Sequence, residues 1–206
     1  MAKQIEGVYD KLIECAKAEF LEKGFTDASL RTIAKDADTS TNSIYVRFDD
    51  KAGLFDAIVK PHYEFVMNRY IKTQTEFRDL PADVQHNSVG EASGDCLHDI
   101  LEYCYAHLDE MRLILVHSAG TKYAGMVDEM AEMEVQATHA YQQTAEKAGY
   151  TMHSVDLHLE HIIATGMFNT FFELVVHDMP FNEAEIYLKE MRDFYTAGWL
   201  KIMGQS

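Results

Sequence analysis

Residues Ser29 to Lys51, SLRTIAKDADTSTNSIYVRFDDK, leave this chain few folds to choose from. Two short helical patterns flank a tight turn, an aromatic residue follows, and a new helix begins. Ser29 precedes Leu30-Arg31-Thr32-Ile33-Ala34, so its hydroxyl can cap the free N–H groups of a helix start. Leu30, Ile33, Ala34 and Ala37 recur at helical spacing and form that helix's buried stripe. Asp36 to Thr39 is the turn, where aspartate tolerates unusual backbone angles. Ser40 caps a second helix, expected over Thr41 to Val46. Ile44 and Phe48, four apart, anchor it to the core. Its outer side is small and polar: Thr41, Asn42 and Ser43. Such a face can lie flat against base edges, where hydroxyls and amides both donate and accept. Tyr45 offers an apolar ring and a hydroxyl within reach of a phosphate. Helix, short turn and helix form a DNA-reading module whose second helix enters the major groove. The plainer alternative is a helical hairpin inside a bundle. Two short helices with polar outer faces bury too little apolar surface for that.

The flanks extend the pattern. Asp49 or Asp50 caps the next helix, and Lys51 falls in its first turn, where a cation gains nothing from the helix dipole. A phosphate docking at that N-terminus accounts for it. Upstream, Ile5, Val8, Leu12, Ala16 and Phe20 repeat every three to four residues, so Lys3 to Lys23 is an amphipathic helix that Gly24 ends.

This set closely resembles the N-terminal domain of the TetR family of transcriptional regulators. The matching residues are Ala16, Phe20, Gly24, Phe25, Ser29, Ile33, Ala34, Ala37, Ser40, Ile44, Tyr45, Phe48 and Lys51. They span roughly the first quarter of the chain. The resemblance implies an all-α protein: a three-helix DNA-binding head, a helical ligand-binding body and a homodimer. Two positions depart from the family pattern. Asp38 stands where the family usually has glycine in the turn, and it puts a negative charge on the DNA side. Asn42 stands where glycine is frequent in the recognition helix, and its amide can pair with adenine.

The chain has 206 residues, 47% hydrophobic and 25% charged, with three prolines, which favours helix throughout a globular chain. Its formal net charge of −16 argues at first against a DNA partner. The charge is uneven. Nine lysines and arginines against eleven acidic residues leave the first sixty residues at −2, so −14 of the total lies beyond them. Arg31, Lys35, Arg47 and Lys51 remain to line a DNA face, and the modest phosphate count implies easy release by salt. No charged-plus-apolar leader pattern is seen at the N-terminus. The weakly charged run Ile162 to Val176 is too short for a bilayer crossing, which needs about 20 apolar residues. Cys15, Cys96 and Cys104 make no disulfide framework and suggest a reducing cytoplasm.

Beyond the head, a long helix is expected over about Lys51 to Phe77, kinked or ended at Pro61. Pro81 to Asp95, with Asn87, Ser88, Gly90, Ser93 and Gly94, reads as a loop with one helical turn at most. Further helices are expected at Cys96–His107, Met111–Ser118 and Tyr123–Lys147, the last closed by Gly149. Two more run about 154–177 and 182–202, broken at Asp178-Met179-Pro180. These last two carry apolar residues on more than one face, and the resemblance implies that they pack against a second copy as a four-helix bundle.

Met and aromatic residues crowd the body. The lining expected for a small-molecule site is His62, Val66, Tyr70, Tyr105, Met111, His117, Tyr123, Met126, Met130 and Phe168, because such sites are mostly apolar with a few polar groups. Many of these residues serve equally well as core. His158 with His161, and Cys104 with His107, sit one turn apart, yet zinc needs further ligands and no HExxH or CxxC occurs. No metal or cofactor is therefore expected. No histidine has glutamate three positions before it, which excludes the di-iron bundle pattern, and no phosphate loop or nucleophile elbow is present, so no enzyme is expected.

The expectation is a head at residues 1–50 and a ligand-binding and dimerisation body at 51–206. The head binds a palindromic double-stranded operator. Thr41, Asn42 and Ser43 on the helix capped by Ser40 face bases; Tyr45, Lys51, Ser29 and Arg31 face phosphates. The whole is a cytoplasmic, homodimeric repressor released by a small-molecule effector. The competing readings are an adaptor of the same fold without operator binding, and a metal-responsive regulator.

Overall fold

The computed structural model describes residues 2–89, 91–177 and 179–205. Ile5, on the first apolar stripe, and Gly90, Ser93 and Asp178, in the expected breaks, lie outside the described residues or side chains. The described regular structure is ten helices and no strand: α1 (Ala2–Asp27), α2 (Leu30–Asp36), α3 (Thr41–Phe48), α4 (Lys51–Arg78), α5 (Ala82–Asn87), α6 (Glu91–Ala106), α7 (Leu108–Leu115), α8 (Met126–Lys147), α9 (Leu157–Val176) and α10 (Phe181–Ile202). They divide into two compact units: Met1–Phe65 with His107–Met126, and Val66–Ala106 with Val127–Ser206. Compactness thus does not follow a boundary at residue 50.

In the first unit, Leu12, Ala16 and Phe20 of α1 are fully buried, as the apolar period requires. Gly24 interrupts α1 at φ 73°, a left-handed conformation that glycine adopts without a Cβ clash. The reversal seats Phe25 against Phe20 and Phe55, with ring centroids 6.1 and 5.3 Å away. It also turns the backbone toward the 107–126 segment. The Phe25 N–H donates to His117 O at 2.9 Å, the Thr26 hydroxyl to Ala119 O at 3.1 Å, and Lys17 to Glu110 at 2.6 Å. These bonds explain why a segment a hundred residues downstream belongs to this unit. No local pattern in 107–126 announces it.

Lys51 has a structural role here. Its ammonium donates to Thr26 O (2.9 Å) and Ala28 O (3.1 Å) and lies 4.8 Å from the centre of the Phe25 ring. It satisfies carbonyls that the end of α1 leaves open. Of the two candidate caps, Asp50 is the one that starts α4, accepting from the Gly53 N–H at 2.7 Å. Asp49 instead closes α3 at φ 66°. Helix α4 runs through Pro61 and ends at Arg78 rather than stopping at the proline.

In the second unit, the expected loop at 81–95 is largely helical. Gln85 of α5 is buried, and its amide donates to Arg78 O (3.0 Å) and Leu80 O (2.8 Å), folding α5 back on the end of α4. That anchor, reaching seven and five residues back, outweighs the glycine and serine signal. Gly149 follows α8 at φ 93°, as a helix terminator should. Asp156 caps α9 by accepting from the His158 and Leu159 N–H groups at 2.9 and 3.4 Å. Phe168 and Phe171 of α9, and Ile100 and Leu101 of α6, are fully buried. Tyr105 shares its hydroxyl proton between Leu174 O (2.9 Å) and Met179 O (2.7 Å), fixing the connection from α9 to α10. Helix α9 is longer than its weakly charged run. Its 20 residues meet the length and composition needed to cross a membrane, a test that core helices also pass. The three cysteines are free, and burial pushes the Cys104 thiol up to about 12.

Replacing Lys51 with methionine is expected to destabilise the first unit by about 1–3 kcal/mol without DNA present, because two carbonyls lose a charged donor. A urea titration followed by circular dichroism measures it. Unchanged stability would leave Lys51 free for phosphate alone.

Candidate functional site

The turn between α2 and α3 is held by backbone bonds. Asp38 N–H donates to Lys35 O (3.1 Å) and Thr39 N–H to Ala34 O (2.8 Å). Asp38 sits at φ 50°, the left-handed position that makes glycine the common choice there. Aspartate is among the few other residues that take it. Its carboxylate pairs with Lys11 of α1. That hydrogen bond holds the Asp38 carboxyl below its usual range and raises Lys11. The negative charge expected to face DNA is therefore matched by a cation from the same unit.

Both serine caps form. The Ser29 hydroxyl accepts from Thr32 N–H at 3.4 Å and the Ser40 hydroxyl from Ser43 N–H at 3.3 Å. Ser29 also donates its N–H to Glu19 at 2.9 Å. Ile44 and Phe48 are buried and hold α3 by its inner side. The outer side presents Asn42, Tyr45 (51% exposed) and Val46 (74% exposed), with Thr41 and Ser43 half-buried. Arg31 is exposed at the start of α2. Arg47 donates to Ser43 O (3.1 Å) and to its hydroxyl (2.6 Å), so Ser43 is already engaged. Val46 is the residue the sequence reading missed. It lies four residues after Asn42, hence on the same face, and an exposed aliphatic group there suits a thymine methyl.

The second unit contains a cavity of about 130 Å³ walled by apolar residues, among them Phe77, Leu97, Phe168 and Trp199. A neighbouring cleft of about 290 Å³ shares Gln74, Phe77, Ala137 and Tyr141 with it. Of the ten residues expected to line a ligand site, Tyr70 and Phe168 do line this cavity. Val66 and Met130 are buried in the second unit, and Tyr105 is occupied at the α9–α10 connection. His62, Met111, His117, Tyr123 and Met126 belong to the first unit. Helical spacing marks a residue as inward-facing but not which interior it reaches.

Polar groups in the cavity wall are mostly satisfied. Glu134 accepts from the Tyr70 hydroxyl and from the Gln74 amide (2.7 Å). Burial pushes the Glu134 carboxyl up, and these two donors oppose the shift. Away from the cavity, Glu160 of α9 is fully buried and pairs with His139 at 2.7 Å. In the first unit, His62, His107 and Glu110 offer ligand atoms within 4.8 Å of one another. Lys17 already neutralises Glu110 there at 2.6 Å, and burial lowers the His62 pKa. His98, Asp99 and Glu102 form a second, more exposed group in the second unit. The sequence-spaced pairs His158/His161 and Cys104/His107 join neither group as pairs.

A capped two-helix reader with a neutralised turn, in a chain otherwise built of helices, defines the class of helix-turn-helix regulatory proteins. The pattern of the bacterial regulatory proteins, tetR family, matches residues 12–58. Over these residues, about a quarter of the chain, it is similar to the DNA-binding domain of that family. It is similar to the probable HTH-type transcriptional regulator YttP of Bacillus subtilis (strain 168), with 33% identity over 105 residues, 51% of this chain and 47% of YttP. The match thus spans about half the length of that relative. In fold it is similar to a TetR-like transcriptional regulator from Rhodococcus sp. RHA1, with TM-score 0.58 and 17% identity over 93% of this chain and 96% of that one. It is also similar to NalD of Pseudomonas aeruginosa, the secondary repressor of the MexAB-OprM multidrug efflux pump. That TM-score is 0.56, with 15% identity over 92% of this chain and 96% of that one.

Two outcomes follow. Tyr45→Ala should weaken binding to all duplexes alike, whereas Asn42→Ala should change which sequence is preferred, as read by competition binding across a duplex library. Equal effects of both on every duplex would sink the division of roles. The second outcome concerns Glu134. A raised folded pKa means that its stabilising contribution is complete below the ordinary value of about 4.3 and is lost as pH rises through the folded value. Glu134→Gln, uncharged throughout, should therefore gain stability relative to the parent as pH rises above about 4.3. Urea midpoints at several pH values decide this, and a constant difference would refute it.

Proposed function

We propose that the protein is a homodimeric transcriptional repressor that reads a palindromic operator through α3 and leaves it when a small molecule binds in the body. The observation that carries this is the exposed face of α3: Asn42, Tyr45 and Val46 stand outward while Ile44 and Phe48 fix the helix from beneath. Base-reading falls to Thr41, Asn42 and Val46, with Ser43 held by Arg47. Arg31, Tyr45 and the third ammonium proton of Lys51 serve phosphates, and Ser29 and Ser40 act through the helix starts they cap. Repression is carried over from NalD as the working mode.

Dimerisation is supported by apolar side chains left in solvent on α9 and α10. Ile162 is 66% exposed and Phe194 72%, with Leu159, Ile186 and Tyr187 also exposed. A patch of this kind suits an isologous interface with a second copy. Two heads then read half-sites about one helical turn, ~34 Å, apart. A cytoplasmic location follows from a DNA partner. The free energy for release must come from the ligand's different affinities for the DNA-bound and free states. Helix α4, which contributes residues to both units, is the covalent route for that change.

Genomic fragments pulled down by the purified protein should be enriched in a few palindromic sites at low salt and lose them at high salt. Absence of enrichment at either salt would refute operator binding. Ile162→Glu combined with Phe194→Glu should give a monomer by light scattering and weaken operator binding. A dimer that persists would move the interface off α9 and α10.

A further inference from the structure

We infer that the cavity of the second unit takes an apolar monoanion, roughly one ring in bulk with a carboxylate-type head, held by Arg192 and Trp199. This deepens the ligand-responsive reading and rests on it. The argument is one of unmet donors. Trp199 lines the cavity and is only 9% exposed, and its buried indole N–H has no acceptor among the described residues. Folding does not normally leave such a donor orphaned. Arg192 lines the same cavity, seven residues earlier on α10, so the two share one helix face. No described carboxylate pairs with it. A guanidinium keeps its proton, so it brings a fixed positive charge to a largely apolar wall.

The fold makes room for that charge. Gly94 of α6 lies against the guanidinium, and a Cβ at this position would fall 2.1 Å from its Nη1 and 2.3 Å from its Cζ. A side chain on α6 would push Arg192 away. Several other polar groups of the wall have partners already. Thr73 donates to Arg69 O at 3.2 Å, and the Tyr141 hydroxyl accepts from Gln205 at 2.6 Å. Glu134, of the opposite sign, has Tyr70 and Gln74 as donors. Burial raises its pKa, and the two donors oppose that shift. The buried Trp199 N–H and the half-buried Arg192 cation are both donors, and an acceptor bearing negative charge satisfies the two together. Planar bidentate recognition by arginine favours a carboxylate. The volume sets the body of the ligand: an apolar cavity of about 150 Å³ holds benzene, and this one measures about 130 Å³.

Trp199 is the chain's single tryptophan, so its emission reports on the site in the full-length protein. The probes are benzoate, benzamide and benzylamine, with hexanoate, hexanamide and hexylamine as an aliphatic set. Calorimetry runs in parallel. The carboxylates should bind about tenfold tighter than the amides, with the amines weakest. Arg192→Gln should erase the preference, and Trp199→Phe, followed by calorimetry, should weaken the carboxylates several-fold. Amides binding as well as carboxylates, or amines binding better, would overturn the anionic class while leaving the cavity a small-molecule site. No binding by any member up to about 10 mM would overturn both. The head-group series on the parent protein decides the matter even if a variant fails to fold.

Discussion

The first unit depends on what happens at Gly24. A helix that continued straight would carry Phe25 away from Phe20 and Phe55. The left-handed residue turns the chain so that these three rings meet, with Phe20 and Phe55 edge to face at 5.0 Å. The same turn exposes carbonyls at the end of α1, and Lys51 of α4 reaches them while resting on the Phe25 ring. It also aims the Phe25 N–H at His117. One glycine thus brings α1, α4 and the 107–126 segment into a single core. A Cβ at this site would oppose the required φ, and every contact made by Phe25 depends on that φ.

The reader built on this core separates two duties by helix face. Inward, Ile33, Ala34, Ala37, Ile44 and Phe48 are buried, and they set where α2 and α3 lie. Outward, α3 offers an amide, a phenol and an aliphatic side chain. The polar residues nearest the backbone are spent on structure: Ser29 and Ser40 on caps, Ser43 on Arg47. The pairing of Asp38 with Lys11 keeps the head's small deficit of positive charge from concentrating at the turn. Fewer side chains of the polar sequence TSTNS are therefore left unengaged on the outer face than the sequence suggests, and Asn42 and Val46 are the exposed ones beside Tyr45.

In the second unit the informative contrast is between satisfied and unsatisfied polar groups. Gln85, Glu134, Tyr105 and Tyr141 all meet partners within the unit. The buried Trp199 N–H has no described acceptor, Arg192 pairs with no described carboxylate, and both residues line one cavity. Helix α10 thereby carries two functions on different sides. Arg192 and Trp199 look into the unit, while Ile186 and Phe194 are left in solvent. Apolar residues around a helix in this way need two partners, one inside the unit and one outside it.

By itself the sequence determined the helices of the head, both of their caps, and the late helices to within about three residues, because capping and apolar period act between residues close in the chain. It also carried the likeness to the tetR-family domain, since the matched residues lie at fixed spacings in one continuous segment, residues 12–58. What only the tertiary structure decided was every feature that joins distant segments. Lys51 read as a phosphate contact; that it also donates to the carbonyls of Thr26 and Ala28 was not legible, because nothing in its neighbourhood predicts the position of those two residues. The 81–95 segment read as a loop, yet the buried Gln85 amide folds back on the carbonyls of Arg78 and Leu80, a side-chain contact that glycine and serine spacing does not reveal even at five to seven residues. Eight of the ten expected ligand residues proved to lie elsewhere than the cavity wall. Arg192 and Trp199 went unnoticed as a pair, because an unmet donor becomes visible only once every neighbour has been placed.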